Sequence, residues 1–219
     1  MISETIKYYF QGLAAHILAD DWFCLRRKLA DEYKSYLSDN EWCPPLVMQE
    51  LLISAEDHRF FKHPGFDIIA ICRAIYRRAF FHVVEGASTI DQQVVRVLTG
   101  NYERTVRRKL KEILLATLVT SAIPKRDLPA IYIRIAYYGW RMNNYKDACR
   151  RLHLNSSNMS LSEAANLIAR LKYPEPRQFS AIRSSQIKRR VRHLVALHNM
   201  HASTVIYSGL KVDVSNAAI

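Results

Sequence analysis

Apolar residues fall at three- and four-residue intervals along most of this chain, the period of helices with one buried face. A helical region is predicted from about Glu4 to Leu37, closed by the polar Ser38-Asp39-Asn40 turn. Pro44-Pro45 opens a second helix, a suitable place for proline because first-turn N–H groups lack helical partners. Leu46, Val47, Leu51 and Leu52 line one face of it, and it ends near Ala55, leaving Glu56 and Asp57 at its edge. A third helix is predicted over Ile68–Val84, apolar and aromatic but interspersed with Arg73, Arg77 and Arg78, and broken by Glu85-Gly86.

Ser88 then reads as an N-cap, with Asp91 three residues on as a capping-box partner. In the helix that follows, Ser88, Gln92 and Arg96 share one face, while Ile90, Val94 and Val97 take the other. The next helix, Glu103 to Ala122, is the clearest amphipath. Val106, Leu110, Ile113, Leu114 and Thr117 form its predicted inward stripe, with Arg104, Arg108, Lys111 and Glu112 opposite. Further helices are predicted over Asp127–Tyr138, Ser160–Leu171 and Ser184–His201; Ser160 and Glu163 form a capping box, and Pro174 marks a stop.

Composition agrees with a mainly α fold. Of 219 residues 49% are apolar, enough for a sizeable core, and 6 glycines are few for a chain of many β-turns. The net charge of +12 implies an anionic partner: nucleic acid, acidic lipid headgroups or a phosphorylated substrate. The four cysteines form no CxxC pair and carry no zinc spacing. No stretch approaches the length of a membrane span, and the N-terminus shows no basic segment leading into a long apolar one, so no signal peptide is predicted.

Ionisable groups concentrate in Ala55–Asp67. A carboxylate at a helix C-terminus feels the negative end of the dipole, and burial would poise it as a general base. Taken alone, Glu56-Asp57 reads as well as a solvated turn with Phe60 and Phe61 in the core. Taken alone, Arg104, Arg108 and Glu112 read as an i,i+4 ion-pair ladder worth tenths of a kcal/mol per pair.

Together these segments resemble the peptidoglycan glycosyltransferases, family 51. The first family motif, EDxxFxxHxGxD with a following RA pair, is met by Glu56, Asp57, Phe60, His63, Gly65, Asp67, Arg73 and Ala74. The second, GxSTxxQQ, is met by Gly86, Ser88, Thr89, Gln92 and Gln93, and the third, RKxxE, by Arg108, Lys109 and Glu112. A fourth is partly present from Lys125 through Tyr132 to Gly139, and a fifth resembles Leu161–Ala165 through Pro174.

The resemblance implies a lysozyme-like helical domain over 44–201, with 68–86 as a smaller membrane-proximal jaw. Residues 1–43 would form an N-terminal helical extension and 202–219 a tail. It implies polymerisation of a lipid-diphosphate-linked disaccharide, with Glu56 deprotonating a sugar 4-hydroxyl that attacks the anomeric carbon of the growing glycan with inversion. Glu112 is the second catalytic residue. Asp57, Phe60, His63, Ser88, Thr89, Gln92, Gln93, Arg96, Arg104, Arg108 and Lys109 fall in the implied substrate and diphosphate site. A leaving diphosphate gathers negative charge, for which arginine is a bidentate partner. A divalent ion, Mg2+ or Mn2+, is implied with Glu112 as its candidate ligand, and no organic cofactor. The implied partners are the lipid-linked disaccharide, the growing glycan, an anionic membrane surface bound peripherally and a membrane-anchored partner, on the outer, periplasmic face of the bacterial inner membrane. The Ile68–Val84 helix, apolar with interspersed arginines, suits either that interface or a core with a basic outer face.

The chain departs from the family pattern at three places. Asp91 stands where threonine is usual, Arg96-Val97 where Lys-Asn is usual, and Leu128–Arg134 lacks the customary Glu and Asn of the fourth motif. These changes suit a divergent enzyme, and equally a catalytically impaired relative that binds lipid-linked glycan or peptidoglycan as an accessory protein. A glycan-cleaving relative needs no arginine cluster, and a nucleic-acid binder needs no paired carboxylates; both rank lower.

Overall fold

The computed structural model describes residues 4–39, 41–83, 86–202 and 204–210, with the backbone alone for 4–10. Ten α-helices and three short 3-10 turns make up its regular structure, and among the described residues β-type pairing is limited to isolated bridges at Gly139. The mainly α expectation holds. The chain divides into two compact units, Met1–Ser38 with Lys62–Tyr132, and Asp39–Phe61 with Ile133–Ile219.

In the first unit, α1 (Glu4–Ile17) and α2 (Ala19–Ser38) pack on each other and on α6 (Val106–Ala122), and α2 also packs on α5 (Ile90–Thr99). Leu25, Leu29, Val94, Val95, Leu115 and Val119 are buried there. The cap of α5 is Thr89, whose hydroxyl accepts from the Gln92 N–H, so the predicted Ser88–Asp91 capping box does not form. Ser88 is thereby left with a side chain for other partners. Such a cap is worth about 1 kcal/mol.

α6 starts at Val106, capped by Thr105, and not at Glu103. Its predicted phase is also corrected. Val106 and Leu110 are 78% and 58% exposed, while Glu112, Leu115, Ala116, Thr117, Leu118 and Val119 are buried. The pattern rule places a carboxylate outside; here three cations neutralise Glu112 and make its burial affordable.

The third predicted helix is α4 (Ile68–Phe81), capped by Asp67, whose carboxylate accepts from the N–H groups of Ile69 and Ala70. It ends in the left-handed His82; Val84 and Glu85, the predicted end and break, lie outside the described residues. No residue of α4 is buried, and Ile68, Ile69, Ile75, Tyr76, Phe80 and Phe81 are all more than half exposed. A core role for this helix is therefore excluded within its unit.

In the second unit, α3 (Leu46–Glu56) packs on α9 (Leu161–Lys172) and α10 (Ala181–His201), which also pack on each other. Met48, Leu51, Leu52, Leu167, Ile187 and Leu194 supply apolar contact surface. The Ser160–Glu163 capping box forms as predicted, and α10 begins three residues earlier than predicted, at Ala181 behind the Ser180 cap. The helix predicted over Asp127–Tyr138 is shorter, α7 (Leu128–Ile135), and α8 (Tyr145–Leu152) was not predicted. Its eight residues are too few to show a period.

Candidate functional site

Thirteen residues carry the chemistry expected from the sequence, and they fall into both units. Ten lie in the first: His63, Ser88, Thr89, Gln92, Gln93, Arg96, Arg104, Arg108, Lys109 and Glu112. Glu56, Asp57 and Phe60 lie in the second.

Glu112 is the centre of the first group. Its side chain is 3% exposed and takes a bidentate pair from Arg96, Nε to Oε2 at 3.0 Å and Nη2 to Oε1 at 2.9 Å. Lys109 Nζ donates to Oε1 at 2.8 Å, and Arg108 donates to Oε2. Lys109 also reaches Ser88 Oγ at 2.8 Å and the Gln92 carbonyl oxygen, and Arg96 reaches Ser88 Oγ at 3.3 Å. Three cations thus face one carboxylate, an excess of two positive charges. Burial alone would push the Glu112 carboxyl up, but the hydrogen bonds and charges of Arg96 and Lys109 win and hold it below its ordinary value. Burial pushes the Lys109 ammonium down, against the pull of Glu112. Two buried donors, Gln92 Nε2 and Arg108 Nε, have no hydrogen-bond partner among the described residues. Spare positive charge beside orphaned donors is the chemistry of an anion site.

A metal ion fits poorly here. Both Glu112 oxygens already accept from cations, and a divalent ion would add charge to a site already in positive excess. Arg104, expected in the same group, lies before α6 begins, is exposed and does not join the cluster.

The remaining first-unit residues brace the loop of the first motif. Gly65 has φ +106°, and a Cβ there would sit 2.6 Å from the Ala116 carbonyl oxygen of α6, so only glycine fits. Thr89 Oγ1 donates to the Gly65 carbonyl at 2.7 Å while capping α5, so this hydroxyl is engaged in the scaffold. His63 is buried, with Nδ1 accepting from the Gly65 N–H at 3.2 Å, and Lys125 Nζ donates to its carbonyl at 2.6 Å. Gln93 lies half-buried on α5, its N–H bonded to the Thr89 carbonyl.

Asp91 is fully buried, its Oδ1 accepting from Thr120 at 2.8 Å and its Oδ2 lying 3.6 Å from Lys125 Nζ. It faces α6 and Lys125, with no bond to the Glu112 cluster. Lys125 thus balances the charge that this departure from the family pattern introduces into the interior. Arg134, the other unusual residue, bonds the Trp42 carbonyl at 2.8 Å and pairs with Asp39 at 3.3 Å.

In the second unit Glu56 is the last residue of α3, with its side chain 24% exposed. Arg190 of α10, not singled out from the sequence, lies with Nη2 3.3 Å from Glu56 Oε1 and 3.1 Å from the Ala55 carbonyl. Asp57 is buried as the helix C-cap, its N–H on the Ile53 carbonyl, and Phe60 is buried edge-on to Phe61. Further back along the α3–α10 contact, His198 pairs with Glu50 at 2.9 Å and His201 Nδ1 lies 3.0 Å from Ser54 Oγ, which also bonds the Tyr207 hydroxyl. Burial, then the neighbouring His58 and His198, push the His201 imidazole down.

A model of the transglycosylase family matches residues 25–201. The chain belongs to that family. As such it is a glycosyltransferase-like enzyme, and the transglycosylase motifs are the ones whose geometry is given above. It is 29% identical over 180 residues to a monofunctional glycosyltransferase of Staphylococcus epidermidis, covering 77% of this chain and 67% of that protein. It is 30% identical over 173 residues to the monofunctional glycosyltransferase of Staphylococcus haemolyticus, covering 75% and 63%. To penicillin-binding protein 1A of Neisseria flavescens it is 33% identical over 132 residues, covering 59% of this chain and 16% of that protein. The transglycosylase thus spans about two thirds of the monofunctional relatives and a small part of the penicillin-binding protein.

Proposed function

We propose that this transglycosylase polymerises a lipid-diphosphate-linked disaccharide, similar to lipid II, into glycan strands. Glu56 takes the proton of the acceptor's sugar 4-hydroxyl. That oxygen forms the new bond to the anomeric carbon of the donor with inversion, and the bond to the diphosphate breaks with its electron pair leaving on the phosphate oxygen. The observation that carries this assignment is the Glu112 cluster, whose excess charge and orphaned donors suit a leaving diphosphate. Arg96, Arg108 and Lys109 supply that charge without a metal, and Glu112 holds the three of them in place.

Two further observations support the enzyme over a binding-only relative. Asp91 and Arg134, the departures that would favour lost activity, are each engaged in the scaffold away from the cluster. The exposed apolar face of α4, edged by arginines, supports peripheral contact with an anionic bilayer. No described helix is long and apolar enough to cross one. The family's setting, the outer face of the bacterial inner membrane, is proposed with it.

The test is polymerisation of lipid-linked disaccharide by the purified chain beside Glu56→Gln, with and without Mg2+ or Mn2+. Product from the wild type, and a loss of about 10²–10⁴-fold in the variant with substrate binding kept, is expected of a general base. No product from the wild type despite saturable lipid-diphosphate binding would make the chain a binding protein.

A further inference from the structure

The inward stripe of α10 is Ile187, Arg190, Leu194 and His198, spaced as one helix face. Ile187 and Leu194 are buried against the unit's core, and Arg190 lies between them with its side chain 13% exposed. An arginine there loses hydration and must find partners. Its Nη2 finds them at the end of α3, reaching both the Ala55 carbonyl and Glu56 Oε1, while its buried Nε has no hydrogen-bond partner among the described residues.

We propose that Arg190 is a positioning residue for Glu56, holding its carboxylate against the C-terminal end of α3 in the ionised form that a base requires. It rests on Glu56 being the base. A carboxylate at a helix C-terminus is repelled by the unpaired carbonyls and by the negative end of the dipole. That repulsion favours the protonated carboxyl. One guanidinium nitrogen set between carbonyl and carboxylate turns that repulsion into a bridge. Ile187 and Leu194, buried one turn to either side of Arg190, anchor α10 in the unit's core, and α10 packs on α3. Other ionisable groups lie close by: Asp57, His58 and Arg59 follow on the chain, Glu50 stands further back on α3, and His198 and His201 on α10.

The experiment compares wild type, Arg190→Gln and Arg190→Lys in the full chain, with Glu56→Gln alongside. Polymerisation is followed against pH, and the Glu56 carboxyl is titrated by carbon-13 NMR. Removing an opposite charge in contact moves a carboxylate by about one unit or more. In Arg190→Gln the acid limb of kcat and the Glu56 midpoint are expected to rise together by about one pH unit, with kcat on the neutral plateau lowered by the lost orientation and KM held. Arg190→Lys keeps the charge but not the planar fork, so its limb stays near wild type while kcat falls less. Circular dichroism reports folding, and Arg190→Met, which keeps an apolar stem and lacks the charge, carries the comparison with the same expected rise if the glutamine variant does not fold. An unmoved limb and an unmoved midpoint would reduce Arg190 to a helix clamp. A raised KM at constant kcat would make it a substrate contact, which also overturns the inference. If Glu56→Gln keeps full rate, the base assignment itself fails, and that result is distinct because it does not depend on Arg190.

Discussion

Replacing Glu112 by glutamine removes the one anion that three cations share. The carboxamide keeps one acceptor and turns an N–H2 group toward Arg96, Arg108 and Lys109. Breaking a buried ion pair from one side costs about 3–5 kcal/mol. The three cations are 28%, 15% and 31% exposed and can regain some water, so the lower end, about 3 kcal/mol, applies here. For a chain of this size that is a fall in Tm of about 6–12 °C, read by a thermal melt. Two further readouts follow. Inorganic pyrophosphate should recover part of the loss, because an anion replaces the carboxylate among the cations. The Glu112 carboxyl is held below its ordinary 4.5, so its contribution is complete above that pH and is lost as pH falls through the depressed folded value. Wild type and variant should therefore converge in acid. A melt within about 2 °C of wild type at neutral pH would show that Glu112 does not hold the cluster together.

Three other outcomes are expected. Asp91→Thr, which restores the usual family residue, should cost about 2 kcal/mol in denaturant unfolding by removing the carboxylate beside Lys125, and adding Lys125→Met should recover part of it; additive losses would break the assigned pair. Ile75→Ser with Phe80→Ser on α4 should lower binding to phosphatidylglycerol vesicles several-fold and leave the melt unchanged, since no α4 residue is buried; unchanged vesicle binding would remove α4 from the membrane contact. The His201 imidazole lies below its ordinary 6.5, so its share of stability is intact above that pH and declines as pH falls through the folded value. His201→Gln should flatten that decline, and an unaltered pH dependence would point to another group.

Helix identity and the motif residues were legible because both depend on local spacing. Ser88, Gln92 and Arg96, at two four-residue intervals, converge in the structure, and Arg108, Lys109 and Glu112 follow one another into the same cluster. The phase of α6 was not legible. Hydrophobic periodicity assumes that charge faces water, and Glu112 violates that by burying with its counter-ions, leaving Val106 and Leu110 outside. Asp91 misled for a related reason: its partner Lys125 is distant in sequence, so the carboxylate read as a capping-box partner. Arg190 carries no local signal beyond a cation on an apolar stripe, and its meaning depends on a helix more than a hundred residues away.

α6 presents Glu112, Ala116 and Thr120 at successive four-residue steps, along one narrow stripe of its surface. The first gathers the cations, the second receives Gly65 at close approach, and the third ties down Asp91. The helix therefore acts as a ruler on which three separated segments of sequence are registered. Inserting or deleting a single residue between Glu112 and Thr120 rotates part of that stripe by about 100°, which no side-chain adjustment can repair. The exposed stretch 101–104 ahead of the Thr105 cap bears no such constraint. Length variation among relatives should therefore collect there and be absent from the eight-residue interval that sets the site.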